Sequence, residues 1–279
     1  MCGIAGIYGA CDPDCVGRMV ETLGHRGPDD HGVWTDHAMG VSLGHCRLSI
    51  IDLSPTGHQP MSYAAGRFWI TYNGEIYNYR ELRAELETLG CRFQTQSDTE
   101  VILAAFAIWG RASVLKFRGM FAFALVDRSP PPGAPSMLLV RDRLGIKPLF
   151  FFNRSNRIYF ASELRALLAS GQIRREVDRE GLLDYLLYGN VRQPRTIIRD
   201  IKVLSPGHFM EIWPDKWRIS AYWDLHEATA AQRVEFRSID AVEAEDRLHA
   251  ILMDAVRHHL VADVPVGAFL SGGVDSTAV

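Results

Sequence analysis

Hydrophobic and polar positions follow two periods along this chain, and the switch from one to the other marks its elements. Residues 68–72, Phe-Trp-Ile-Thr-Tyr, are rich in β-formers and end at Asn73-Gly74, a turn signal. Residues 120–126 and 137–140 read as two further strands. The Pro-rich stretch 129–135 between them fits neither regular structure and predicts an exposed hairpin loop. Residues 149–152 and 158–161 make another strand pair, joined through Asn153-Arg154-Ser155-Asn156. Helical spacing recurs in 79–89, with Leu82, Leu86 and Leu89 on one face and Gly90 as the stop. Ser97-Asp98-Thr99-Glu100 is a capping-box pattern. It opens a helix whose core face is Val101, Ile102, Ala105, Phe106 and Trp109, closed by Gly110. Residues 163–168 and 179–187 predict two short helices. Strands crossed with helices in this order predict an α+β fold rather than repeated βαβ units.

The pattern changes near residue 190. Residues 191–240 hold weak strands at 207–212 and 217–223 and then a polar stretch, which together read as a connecting segment. In 245–260, Leu248, Ile251, Leu252, Ala255, Val256 and His259 recur at the spacing of an amphipathic helix. Residues 264–270 read as a buried strand that runs into Ser271-Gly272-Gly273-Val274-Asp275-Ser276, with a helix to begin at Thr277. The chain stops at Val279, so this strand–loop–helix reads as the opening of a second domain, cut short. An apolar strand with no sheet to join predicts poor packing after about residue 240.

Composition narrows the classes. The 279 residues are 47% hydrophobic, enough for one large or two modest domains, and 30 basic against 33 acidic residues leave a net charge of -3. With no basic stripe, nucleic-acid binding by bulk electrostatics is excluded as an expectation. No stretch approaches the ~18 consecutive apolar residues of a membrane helix, and no charged segment followed by an apolar run opens the chain. The five cysteines, Cys2, Cys11, Cys15, Cys46 and Cys91, are an odd set without a secretory signal, which predicts reduced thiols in the cytoplasm. Cys11 and Cys15 lack partners at zinc-ligand spacing, and His258-His259 is a poor match, so no metal site is expected from them.

Candidate chemistry concentrates at the start. If Met1 is removed, Cys2 carries a thiol nucleophile and a free α-amine, with reference pKa values of about 8.5 and about 8. Nucleophile and base then need no second residue. Attack on an amide carbonyl creates an oxyanion, and Asn73-Gly74-Glu75 at a strand end offers two donors, the Asn73 amide and the Gly74 N–H. Arg47 stands in an otherwise apolar run and suits bidentate capture of a carboxylate. Asp98 could bind an ammonium, and His25-Arg26-Gly27-Pro28-Asp29 is a charged loop that would buttress or contact the site. Each has an ordinary alternative: a buried small residue for Cys2, a plain turn for Asn73-Gly74, a salt bridge for Arg47, a helix cap for Asp98. The loop at 271–276 follows an apolar strand and would cradle a phosphate with its glycine amides, or simply turn.

Taken together, M-C-G-I-A-G, H-R-G-P-D, R-L-S-I-I-D, Y-N-G-E-I-Y-N, S-D-T-E-V-I-L, R-G-M-F-A-F-A-L-V-D, R-D-R-L-G-I-K-P-L and S-G-G-V-D-S, in that order, resemble the glutamine-dependent asparagine synthetases. The resemblance covers essentially the whole chain. It implies an N-terminal-nucleophile glutaminase over 1–190, a four-layer αββα sandwich, with 191–240 connecting it to the start of an ATP-pyrophosphatase-type synthetase domain over 241–279. It implies Cys2 as nucleophile, with Asn73 and Gly74 as the oxyanion hole. Arg47, Leu48, Ser49, Ile50 and Ile51 would hold the glutamine carboxylate, with Glu75 and Asp98 near its amino group. Leu270, Ser271, Gly272, Gly273, Asp275 and Ser276 would line an ATP site, with Mg2+ serving the synthetase half. Glutamine, aspartate and ATP are the implied substrates, in a cytoplasmic enzyme for which a homodimer is left open. The alternatives are an amidotransferase of the same architecture acting on another acceptor, in polysaccharide modification or β-lactam formation, and a fragment with glutaminase activity only.

Overall fold

The period-two runs build two sheets. In the computed structural model, which describes residues 1–235 and 239–278, each sheet has six strands, all antiparallel. The first takes the order β10-β8-β9-β1-β3-β2, from β1 (Gly3–Tyr8), β2 (Asp30–Asp36), β3 (Val41–Arg47), β8 (Phe150–Arg154), β9 (Arg157–Ala161) and β10 (Lys202–Val203). The second runs β12-β11-β7-β6-β5-β4, from β4 (Met61–Tyr63), β5 (Phe68–Ile76), β6 (Gly119–Asp127), β7 (Met137–Arg141), β11 (His208–Ile212) and β12 (Trp217–Ala221).

The sheets face each other across one core, where Ile4, Leu43 and Phe160 meet Ala124, Leu139 and Met210. The outer face of the first sheet carries α1 (Pro13–Glu21) and α4 (Leu164–Ala169), with Val16, Met19 and Leu167 packed among Ala5 and Ile7. The second is covered by α2 (Tyr79–Thr88) and α3 (Asp98–Trp109), through Leu82, Leu86 and Ile102 on Ile70 and Phe123. The result is the four-layer αββα sandwich. Two covered faces explain why β1, whose side chains alternate between the cores, is buried at every position.

Most predicted elements form where the pattern puts them, and the exceptions have physical causes. The strand that was to end at Asn73-Gly74 continues through Glu75 to Ile76, because Gly74 pairs with Phe121 where the chain leaves no room for a Cβ beside the Met120 carbonyl. This glycine serves close strand approach, not a turn. Leu89 is exposed, one residue past α2. Ser97 caps α3 by accepting from Thr99 N, but Glu100 does not return to Ser97; it accepts from Gln94 N and Thr95 N and anchors the preceding loop. The 191–240 stretch is not merely a connector: β10 pairs with β8 and β11 with β7, so both sheets draw strands from it.

Beyond α5 (Arg179–Tyr188) and α6 (Leu225–Glu235), α7 spans Ala241–His259 and starts earlier than the apolar spacing indicates, since Asp240 caps it by accepting from Glu243 N. Residues 264–270 form no strand. They have no neighbouring strand among the described residues, and from Pro265 onward their side chains are left outside, Leu270 at 74% exposure. The last helix, α8 (Val274–Ala278), begins inside the loop rather than at Thr277.

Candidate active site

Sheet register brings the amino end and Arg47 together. β1 pairs with β3 from Tyr8↔Val41 to Gly3↔Cys46, so continuing the ladder by one step sets Cys2 beside Arg47, the last residue of β3. Leu48 to Asp52 leave the strand and form a loop that folds back over the guanidinium. Arg47 donates to the carbonyls of Ser54 at 3.0 Å, Ile51 at 3.4 Å and Asp52. A Cβ at Gly57 would push against the guanidinium, so glycine there lets the loop close on it in this position. The arginine is therefore fixed at one wall with nearly no exposure.

The facing sheet supplies the opposite wall. β4 pairs with β5 only as far as Ile70, so beyond that point one edge of β5 has no strand beside it. Amides of alternate residues point to the same edge. Tyr72 N donates to Gln59 Oε1 at 2.7 Å and Ile76 N to Asp98 Oδ2 at 3.0 Å. The amide between them, Gly74 N–H, lies on that same open edge. The Asn73 side chain is buried with neither its Nδ2 nor its Oδ1 hydrogen-bonded. A buried amide left unpaired costs on the order of 1–3 kcal/mol, which is why such groups are rare outside functional sites.

These walls enclose a cavity of about 300 Å³. Of the residues expected at a glutamine site, Cys2, Arg47, Leu48, Ile50, Ile51, Asn73, Gly74, Glu75 and Asp98 all line it. Ser49 does not; its N–H is turned away to donate to Asp29 Oδ2 at 2.8 Å. The charged loop is a buttress: Arg26 Nε donates to the Cys2 carbonyl at 2.8 Å while its Nη1 pairs with Glu163 at 2.9 Å.

The electrostatics are those of a dry site. The Cys2 sulfur touches only the Leu48 backbone, accepting from its N–H at 3.4 Å. Burial pushes the thiol above its ordinary value, while that backbone contact, the terminal amine and Arg47 pull it down. The amine of Met1, which precedes Cys2 here, is lowered, first by burial and then by the Arg26 and Lys147 cations. Burial also raises Asp98, to about 6, against the hydrogen bonds it receives from Ile76 N and the Tyr72 hydroxyl. Beneath the site His45 is forced down to about 4 by complete burial and stays neutral, bonded through Nε2 to the Tyr72 carbonyl at 3.0 Å.

Sequence reasoning passed over Lys147, although R-D-R-L-G-I-K-P-L contains it. It lines the cavity, is almost wholly buried, and has its pKa lowered by that burial against the pull of Glu75. Asp142 builds the turn that presents it, accepting from the backbone of Leu144, Ile146 and Lys147. The signal was a short turn with an Asp at its head, which marks a rigid loop without saying what faces inward.

Leu270, Ser271, Gly272, Gly273, Asp275 and Ser276 line no part of this cavity. Glycine amides and serine hydroxyls suit a phosphate, and Ser271 Oγ lies 2.9 Å from Ser276 Oγ, but all six residues lie outside any sheet and only Ser276 is even half-buried. They do not by themselves close a nucleotide site. Among the described residues no group of three or more His, Cys, Asp or Glu side chains could hold a metal ion. Among the described residues no helix is long and apolar enough to cross a membrane.

A two-sheet αββα sandwich places Cys2, near the amino end, opposite a strand edge with an unpaired Asn73 amide, the arrangement of a glutamine amidotransferase domain. Residues 1–223 match the glutamine amidotransferase domain family, and the chain belongs to it. Residues 247–279 match the asparagine synthase family. The chain is 38% identical over 287 residues to glutamine-hydrolysing asparagine synthetase 3 of Bacillus subtilis, spanning all of this chain and 44% of that protein. It is 36% identical to asparagine synthetase 1 of the same organism, of which it spans 43%. A putative asparagine synthetase of Mycobacterium tuberculosis is 38% identical, with 99% of this chain and 43% of that one aligned. The chain thus spans less than half the length of these relatives. The solved glutamine phosphoribosylpyrophosphate amidotransferase of Bacillus subtilis shares the fold at a TM-score of 0.59 and 19% identity, covering 79% of this chain and 49% of that one.

Proposed function

We propose that the sandwich hydrolyses glutamine with Cys2 as nucleophile, and that 1–223 is the glutaminase unit. Once Met1 is removed, the Cys2 α-amine takes the thiol proton and the sulfur attacks the side-chain amide carbon. The carbonyl oxygen becomes an oxyanion that the Asn73 Nδ2 and Gly74 N–H groups receive. The protonated amine gives its proton to the departing nitrogen, which leaves as ammonia, and a γ-glutamyl thioester remains on Cys2. Water adds to the thioester, the thiol is restored and glutamate departs. Arg47 holds the α-carboxylate, while Asp98 and Glu75 receive the α-ammonium. The observation that carries this is the convergence of Cys2, the unpaired Asn73 amide, the open edge at Gly74, Arg47 and Asp98 on one cavity.

The relatives' names and the match over 247–279 support a wider role in which the ammonia amidates aspartate. ATP and Mg2+ would supply the activation, with residues 270–276 contributing the phosphate loop. We take the protein to work in the cytoplasm on small molecules, with a homodimer as a candidate assembly. The test is glutamate release from L-glutamine by the purified chain. Cys2→Ala is expected to abolish it while leaving thermal unfolding unchanged; release at the native rate from that variant would overturn the assignment.

A further inference from the structure

The loop that closes on Arg47 is held from two sides. On the inner side Asp52, buried and with φ at +54°, accepts from Ser54 N at 3.1 Å and from Gln96 N at 2.9 Å, which ties it to the turn leading into Asp98. On the outer side it meets a residue from the far end of the chain. Asp52 N donates to Asp263 Oδ2 at 2.8 Å, and Asp263 N donates to the Ile50 carbonyl at 2.9 Å. These two bonds close a ring across residues 50–52, whose carbonyls at 51 and 52 are the ones that grip the guanidinium. Val261, two residues earlier, packs against the core beneath α2 and α3 and sets the direction from which Asp263 approaches. No step of the hydrolysis uses Asp263, and it lies in the stretch that leads into the 271–276 loop.

We infer that Asp263 is a positioning residue for glutamine, holding the Arg47 loop closed without touching substrate, so that the segment leading toward the phosphate-type loop sets the affinity of the glutaminase cavity. The inference rests on Arg47 being the carboxylate anchor. An Asp263 carboxylate that only steadied the surface would leave glutamine binding alone, whereas one that holds the loop shifts binding and not chemistry.

The experiment is steady-state hydrolysis of L-glutamine by the full chain carrying Asp263→Ala or Asp263→Asn, with Arg47→Gln alongside. Asp263→Ala keeps the backbone bond to the Ile50 carbonyl and loses the carboxylate that accepts from Asp52 N, which is expected to raise KM roughly fivefold with kcat unchanged, the order of one hydrogen bond. Asp263→Asn keeps an oxygen that accepts from Asp52 N, and stays within about twofold of native. A raised KM in both Asp263 variants, or in neither, overturns the inference. Arg47→Gln separates the levels. If it raises KM and Asp263→Ala does not, only the positioning role fails; if Arg47→Gln leaves KM unchanged, the assignment of the cavity itself fails.

Discussion

The two motif-bearing ends of this chain carry comparable sequence signals and have opposite surroundings. Near Cys2, six functional groups from the start of β1, β3, β5 and α3 are brought to one cavity by strand register; Arg47, Asn73 and Asp98 are buried, and Cys2, Gly74 and Glu75 are half-buried. At 270–276 the residues suited to phosphate stand outside any sheet, next to a fully exposed Phe269. A motif states which groups are available, and the packing around it decides whether they are preorganised. Amide donors aimed into a dry cavity stabilise charge far better than the same donors in water, where solvent competes for each bond.

The sharpest test of that contrast removes one polar group from each end. Asn73→Ala is expected to lower kcat for glutamine hydrolysis by about a hundredfold or more, the loss typical of one oxyanion donor. Ser271→Ala is expected to leave the same rate within twofold. Equal effects from the two, measured as glutamate release, would erase the distinction drawn between the regions.

A second test uses pH. Burial lifts Asp98 to about 6, so the native protein holds this proton more tightly than the unfolded chain does. That contribution to stability is full below the ordinary carboxylate value near pH 4 and is lost as pH rises through 6. Asn has no proton to lose, so Asp98→Asn should gain about 3 kcal/mol over native between pH 4 and pH 7, while weakening glutamine binding. Thermal unfolding of both proteins at the two pH values checks this. A stability difference that does not change with pH would mean that Asp98 is not held in a water-poor site.

How much of this was legible in the sequence follows from the same contrast. The strands at 120–126, 137–140, 149–152 and 158–161 and the helices at 79–89 and 163–168 declare themselves, because period and turn chemistry are local. The role of Gly74 does not, since Asn-Gly in a sequence signals a turn, and only the pairing with Phe121 shows a glycine held inside a strand. Ser49 misleads because neighbours in a loop need not face the same way. Lys147 and Asp263 are silent for a related reason: one is aimed by a turn around Asp142, and the other reaches a loop more than two hundred residues away in sequence. The apolar run 264–270 reads as a strand, yet a strand needs a partner, and none lies beside it among the described residues.

The most direct test of the nucleophile is covalent. The chain would be incubated with a glutamine analogue bearing an electrophilic diazoketone in place of the carboxamide, digested, and read by mass spectrometry. One label is expected, on a peptide that begins at Cys2 with Met1 absent, and excess L-glutamine should block it. A label on Cys11, Cys15, Cys46 or Cys91 instead, or a fully active protein that retains Met1, would contradict the account.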